Sequence, residues 1–196
     1  MAGTDLVVIG AGPGGYVAAI RAAQLGMKVV IAEKDACGGT CLNYGCIPTK
    51  ALYKNAQVMG YMDHSREFGI EIDGYRLDME QVQARKNKIV KTLTGGVEYL
   101  LKSNKVAIEK GCAKIIKAGL VEVTGKDGTV KRLETKRILI ASGSKSSRLP
   151  IEGMDLEGVI TSKEALDMKT VPEEIVIIGG GVIGIEFAGI YQSFGA

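Results

Sequence analysis

The stretch DLVVIGAGPGGYVAAIRAAQLGMKVVIAE, residues 5–33, decides the fold. Leu6-Val7-Val8-Ile9 is a short apolar run of strand type, and Gly10 to Gly15 is a glycine turn. Tyr16 to Leu25 is rich in Ala, which suits a helix packed closely on a sheet. Gly26 is a helix-stop residue, and Lys28 to Ala32 reads as a second buried strand. A crossover of this length makes the two strands parallel and the connection right-handed. The pattern Gly10-x-Gly12-x-x-Gly15 then acquires a chemical meaning. A diphosphate can approach the first turn of the following helix, where unpaired N–H groups and the helix dipole favour an anion. Gly10 makes the tight turn, Gly12 carries no side chain to block the approach, and Gly15 lets helix and strand pack. Glu33 ends the second strand, where a carboxylate can accept both ribose hydroxyls. A glycine triplet alone is weak evidence and a plain tight turn is the competing reading. Here strand, helix, second strand and terminal acid follow in order.

The rest of the composition is that of an ordinary globular chain. It has 196 residues, 25 Lys+Arg against 22 Asp+Glu, 46% apolar and 24% charged residues. That balance excludes a disordered tail. The 27 Gly with only 4 Pro are neither collagen nor linker. A net charge of +3 is too small to argue for a nucleic-acid partner. No segment reaches the roughly 18 uninterrupted apolar residues of a membrane helix. No basic region precedes Leu6, so no secretory signal is expected and a cytoplasmic location is. In that compartment the four cysteines, Cys37, Cys41, Cys46 and Cys112, suggest redox chemistry or metal before a structural disulfide framework.

Beyond residue 33 the chain offers a helix from about Gly45 through Lys50 to Met62, then a loop over 64–76. Leu77 to Leu101 has apolar residues at helical spacing (Val82, Ile89, Leu93, Val97, Leu100). Gly95-Gly96 could divide it, and Arg85, Lys86, Lys88, Lys91 and Lys102 read as a solvated face. Ala113 to Ile116, Leu120 to Val123 and Thr129 to Leu133 form antiparallel strands joined by turns, and Arg137 to Ala141 is a further buried strand. Residues 145–172 are polar and irregular and make the domain boundary. Ile175 to Ile178 then starts a second strand–glycine–helix unit, Gly179-x-Gly181-x-x-Gly184, an internal repeat of the first. Two such turns suggest two cofactors that exchange electrons.

The third motif is Gly38-Gly39-Thr40-Cys41-Leu42-Asn43-Tyr44-Gly45-Cys46-Ile47-Pro48-Thr49-Lys50. Two cysteines five apart at a helix start can reach the Cα separation of a disulfide, roughly 4.4–6.8 Å. The helix start stabilises a thiolate and primes exchange. Lys50 lies one turn after Cys46 on the same face, where a cation supports a thiolate or a reduced, anionic ring. Zinc is the competing reading, although structural zinc sites use closer pairs and a second pair. Inert thiols are the third reading.

With this stretch the chain resembles the flavin-dependent pyridine nucleotide–disulfide oxidoreductases, in order and over essentially its whole length. The resemblance implies an α/β fold. A Rossmann-like FAD-binding domain with a β-meander insert would occupy residues 1–150. Residues 151–196 would be a linker and the first strand, turn and helix of a second Rossmann-like, NAD-binding domain. It implies that Gly10, Gly12, Pro13, Gly14 and Gly15 hold the FAD pyrophosphate, and that Glu33 and the adjoining Lys34 hold the adenosine ribose side. Cys41 and Cys46 would be the redox disulfide, Cys41 meeting the dithiol substrate and Cys46 facing the flavin. Gly39, Thr40 and Lys50 would line the flavin side, with Lys50 beside flavin N5. Gly111 and Ala113 would lie towards the adenine. Ala141 with Ser142-Gly143-Ser144 matches an A-T-G-S turn in which Ser142 replaces Thr. Gly179, Gly181, Val182, Ile183 and Gly184 would form the NAD turn, and Glu186 would pair with Lys50.

Leu42, Ile47 and Thr49-Lys50 are most similar to the dihydrolipoamide dehydrogenase branch of that family. That branch implies oxidation of protein-bound dihydrolipoamide through the disulfide and FAD, with hydride transfer to NAD. The implied partners are the dihydrolipoyl domain of a 2-oxo acid dehydrogenase or glycine cleavage complex, and a second copy in a homodimer. No nucleic acid, membrane or metal is implied. Family chains continue well beyond the matched part and there carry a His–Glu acid–base pair. His64, the only histidine, matches no such motif and reads as a solvated loop residue. The chain alone is therefore expected to lack the base and to be inactive alone. A non-catalytic flavin-binding module, or a reductase of glutathione or mercuric type, are the alternatives.

Overall fold

A computed structural model describes residues 3–196. The chain divides into two compact units: the part up to Asn43 together with Lys91–Lys145, and Tyr44–Val90 together with Ser146–Ala196. Each unit is assembled from two segments.

The first unit is built on a six-stranded sheet in the order β3-β2-β1-β6-β5-β4. Its strands are β1 (Thr4–Ile9), β2 (Val29–Glu33), β3 (Ala107–Lys110), β4 (Cys112–Lys117), β5 (Leu120–Thr124) and β6 (Val130–Ile140). β1 pairs in parallel with β2 and β6, and β2 with β3. β4, β5 and β6 form an antiparallel meander. The mixed α/β class expected from the sequence is therefore present, with one correction. Thr129 to Leu133 and Arg137 to Ala141 are not separate strands. β6 runs through both, antiparallel to β5 over Val130–Glu134 and parallel to β1 over Thr135–Ile140. The residues between them, Glu134-Thr135-Lys136, contain neither Gly nor Pro to turn the chain. Val7, Val30, Ala32, Val121, Val123 and Leu133 form one core cluster, with Ile9, Ala113 and Ile138 against it.

Helix α1 (Pro13–Gln24) follows β1 and buries Gly15, Ala19 and Ala22, a narrow stripe that allows close approach to the sheet. It starts before the expected Tyr16 because Pro13 takes a first-turn position. α2 (Gly39–Tyr44) is a short helix inside the stretch read only as glycine- and cysteine-rich.

The second unit is helical. α3 (Cys46–Asp63) is followed by a 3₁₀ turn over Ser65–Phe68. α4 (Met79–Ser103), α5 (Ser162–Ala165) and α6 (Val182–Phe194) complete the helices. α4 contributes its residues to Val90 here and the remainder to the first unit. Gly95-Gly96 does not divide α4, which is continuous over 25 residues. Two interior glycines cost about 1 kcal/mol each relative to alanine, and burial of Val97 and Leu101 close by opposes that cost. The core holds Leu52, Ala56, Val82, Ala165, Leu166, Phe187, Ile190, Tyr191 and Phe194.

Two further corrections fall in this unit. Ile175 to Ile178 is not a strand. It alternates as one, with Ile175 and Ile177 against the core and Val176 and Ile178 at 89% and 71% exposure. A strand is defined by its ladder of hydrogen bonds, and among the described residues this unit contains no strand to pair with. Lys86 is not on a solvated face but only 2% exposed. It lies four residues after Val82 and three before Ile89, in line with the apolar stripe, and the spacing carried that signal.

Candidate functional site

In the first unit the glycine turn closes the carboxyl end of β1. Gly10 has φ +99°, and a Cβ there would stand 2.3 Å from the Ala141 carbonyl oxygen. A Cβ on Gly15 would stand 1.8 Å from the Gly10 carbonyl oxygen. Both glycines are required by the fold. Gly12 is different. It is the N-cap of α1 with extended backbone (φ −72°, ψ −180°), and a Cβ there would meet only the Gly39 Cα, at an ordinary 3.7 Å. Nothing in the protein demands a glycine at this position, and Gly14 is equally open. No side chain caps α1 and its first turn holds no acid. Pro13 has no N–H and the Gly15 and Tyr16 N–H groups bond to the Gly12 carbonyl, so it is the positive end of the helix dipole that no side chain offsets.

Several expected residues gather around this turn. Gly39 packs its backbone on Gly12, so that a Cβ would lie 2.5 Å from the Gly12 Cα. The Gly38 N–H donates to the Ala11 carbonyl at 2.8 Å, and Thr40 Oγ1 stands 3.5 Å from the Ser144 carbonyl. The Ala141 N–H donates to the Ile9 carbonyl at 2.8 Å, which seats the exposed Ser142-Gly143-Ser144 turn beside β1. Glu33 is buried, and its carboxylate accepts the Ala11 N–H at 2.7 Å and the Asp35 N–H at 2.9 Å. The acid thus braces the glycine turn, and the lone pairs left on its two oxygens can still accept ribose hydroxyls. Beyond it lies a hollow of about 450 Å³ lined by Lys34, Asp35, Lys110, Gly111, Lys126 and Asp127, among others. Lys34 and Gly111 therefore meet in one cavity. Ala113, on β4, is partly buried against the core cluster and does not line the hollow.

Cys41 is the third residue of α2 and half-buried. Asn43, unremarked in the sequence, donates from Nδ2 to the Cys37 and Gly39 carbonyls at 3.1 and 2.9 Å and fastens this helix. An amide side chain four residues after a Gly-Gly pair was the available signal. Cys46 is the exposed first residue of α3, with Gly45 as N-cap. Cys37 is fully buried; burial, then the charge of Glu98, pushes its thiol above the ordinary range. Among the described residues no group of three or more His, Cys, Asp or Glu side chains could hold a metal ion.

In the second unit Pro48, Thr49, Ala51, Leu52 and Ala56 turn one face of α3 inward. Lys50 is on the other face, 58% exposed, and its Nζ pairs with the Glu186 carboxylate of α6. The second glycine turn repeats the first. Gly179 has φ +115°, Gly181 is an extended N-cap (φ −75°, ψ 175°), and a Cβ on Gly184 would stand 2.2 Å from the Gly179 carbonyl oxygen. A Cβ on Gly181 would meet nothing within 4 Å, and α6 also starts without a side-chain cap or an acid. Val182 and Ile183 begin that helix with exposed side chains. His64 is the exposed C-cap of α3, with Nδ1 3.1 Å from a Glu67 carboxylate oxygen.

Comparison with known proteins agrees with this geometry. The family described as pyridine nucleotide-disulphide oxidoreductase matches residues 4–196. The chain is 47% identical to the dihydrolipoyl dehydrogenase, mitochondrial, of Dictyostelium discoideum, covering 98% of this chain and 40% of that protein. The Bos taurus protein of the same name is 46% identical, covering 98% of this chain and 38% of its own. The chain thus spans about two fifths of the length of these curated relatives. Among solved structures, the Cu(II) complex of the HOCl-induced flavoprotein disulfide reductase RclA of Escherichia coli superposes with a TM-score of 0.86 at 30% identity. That match covers 100% of this chain and 41% of the other. The relatives are named as mitochondrial, which overturns the cytoplasmic location expected from the sequence. The argument from apolar runs tests only for a membrane helix or a secretory signal, and other routes to a compartment leave no mark on it. No helix of the described residues is long and apolar enough to cross a membrane. From the paired glycine turns to the Cys41–Lys50 stretch and this match over residues 4–196, the chain belongs to the pyridine nucleotide-disulphide oxidoreductase family.

Proposed function

We propose that this chain carries the FAD-binding and dithiol-exchanging part of a dihydrolipoyl dehydrogenase, with Gly10–Gly15 as the FAD cradle and Gly179–Gly184 as the NAD cradle. The observation that carries the reading is Gly12. It stands at an uncapped helix N-terminus with room for a Cβ, so the missing side chain answers to a ligand and not to the fold. Gly181 repeats the argument. The relatives at 46–47% identity favour the lipoamide-linked branch over other disulfide reductases.

In this reading Cys41 and Cys46 cycle between disulfide and dithiol. A substrate thiolate attacks Cys41 Sγ, the bond to Cys46 breaks, and Cys46 leaves as a thiolate at the start of α3. The second substrate thiolate attacks the substrate sulfur held by Cys41 and releases the Cys41 thiolate. The substrate dithiol has then lost two electrons and two protons and become a disulfide, and the cysteine pair holds the electrons. FAD, when bound, accepts that electron pair and delivers it to NAD as hydride. Asn43 and the Gly38-Gly39 backbone keep Cys41 in place. Lys50, paired with Glu186, is the cation held for the flavin side. The partners proposed are a dihydrolipoyl domain of a 2-oxo acid dehydrogenase or glycine cleavage complex, and a second copy of the chain.

The test is a substrate panel of lipoamide, glutathione and Hg²⁺ with this chain inside a flavin-loaded protein of its relatives' full length. NADH-linked turnover of lipoamide that Cys41→Ser abolishes, with flavin retained, supports the reading. Unchanged turnover in Cys41→Ser would refute the thiol roles, and preference for glutathione or Hg²⁺ would move the chain to another branch.

A further inference from the structure

A buried lysine outside the proposed chemistry anchors α4 to the segment that follows α5. Lys86 of α4 is 2% exposed; its Nζ donates to the Leu166 carbonyl at 2.8 Å and pairs with the Asp167 carboxylate. A buried cation is costly unless it is paired and hydrogen-bonded, and both conditions hold here. Gln83, nearly one turn earlier, donates from Nε2 to the Leu166 carbonyl at 3.1 Å and the Met168 carbonyl at 2.9 Å. The Ala165 carbonyl accepts the buried Tyr191 hydroxyl of α6. The last residue of α5 is therefore held by α6 through Tyr191, and the residues after it by α4 through Gln83 and Lys86. The same turn of α4 also reaches α3, where Arg85 donates to the Ala51 carbonyl at 2.9 Å and to Asn55 Oδ1 at 3.0 Å. Ala51 directly follows Lys50, and Tyr191 lies five residues after Glu186 on α6.

We infer that Gln83, Arg85 and Lys86 form a bracket that sets the distance between Lys50 and Glu186, acting as positioning residues for the Lys50 cation. The ion pair cannot set that distance itself, because it is 58% and 38% exposed and such pairs contribute little. The apolar cluster packs α3 directly against α6 and brings the two helices together. Hydrogen bonds to fixed carbonyls supply direction. The functional weight of the bracket rests on the proposed flavin-side role of Lys50; its geometry does not.

The test is zero-length carbodiimide cross-linking of the full chain, with the Lys50–Glu186 cross-linked peptide quantified by mass spectrometry. In Lys86→Met and Gln83→Met the yield falls about threefold or more, the scale on which loss of a buried hydrogen bond moves an equilibrium. Lys102→Met, at the far end of the same helix, leaves it unchanged. Circular dichroism establishes that each variant is folded, and if Lys86→Met is not, Gln83→Met decides. An unchanged yield in the folded bracket variants overturns the inference. In flavin-loaded protein, the bracket variants shift the flavin absorption band in the same direction as Glu186→Gln. A lost cross-link with an unmoved flavin band supports the bracket and refutes the flavin-side reading of Lys50.

Discussion

Gly10 to Gly15 and Gly179 to Gly184 share a backbone and differ in what surrounds them. In each, the first glycine is left-handed, the second is an extended helix N-cap, and the third packs under the first glycine's carbonyl. The first turn sits between paired strands: Ala141 crowds Gly10, and Glu33 holds the Ala11 N–H. The second follows an extended segment with no ladder, and a Cβ on Gly179 would meet nothing within 4 Å. The shared geometry therefore comes from the local sequence, glycine φ freedom and an N-terminal helix turn, and does not need the sheet. The sheet adds rigidity and the acid.

That difference can be pressed by mutation. The largest effect is expected at Gly15→Ala, where the new methyl would meet backbone; about 3 kcal/mol of stability is lost by chemical denaturation. Gly184→Ala makes the same clash in an open turn that can yield, and costs about 1 kcal/mol. Equal losses at the two sites would show that the sheet does not stiffen the first turn. Glu33→Ala removes the acceptor of two backbone N–H groups, one of them buried, and costs about 1–3 kcal/mol in the same measurement. Glu186→Ala, whose partner is exposed, costs less than about 1 kcal/mol, and its effect is read in the flavin spectrum. The smallest effect is chemical. Near neutral pH iodoacetamide labels exposed Cys46 and Cys112 and leaves Cys37 unmodified, because burial keeps its thiol protonated and covered; peptide mapping reads the pattern.

The same contrast explains what could be read from the chain. The unit of residues 5–33 was legible because each element carries its own local signal, and the acid falls at the strand end where the crossover places it. The Ile175–Ile178 strand was not, because a strand needs partners that a local pattern does not reveal. The sequence of β6 looks like two strands because a period-2 pattern does not say that one strand changes partners halfway. Lys86 was assigned to solvent from its charge, although its position between Val82 and Ile89 put it on the buried stripe. Gly10, Gly12, Gly39, Thr40 and Ala141, far apart in sequence, lie together at the carboxyl end of β1. Ala113 packs partly buried against the core cluster, a matter of strand facing that a motif does not reveal.

The most direct measurement compares FAD binding and stability in Gly12→Ala. The free protein has room for the methyl group, and a diphosphate seated on α1 does not. The expected result is a denaturation midpoint close to that of the parent chain and an affinity for FAD, followed by flavin fluorescence, that falls about tenfold or more. Undiminished FAD binding in Gly12→Ala, or no binding by the parent chain, would contradict the account.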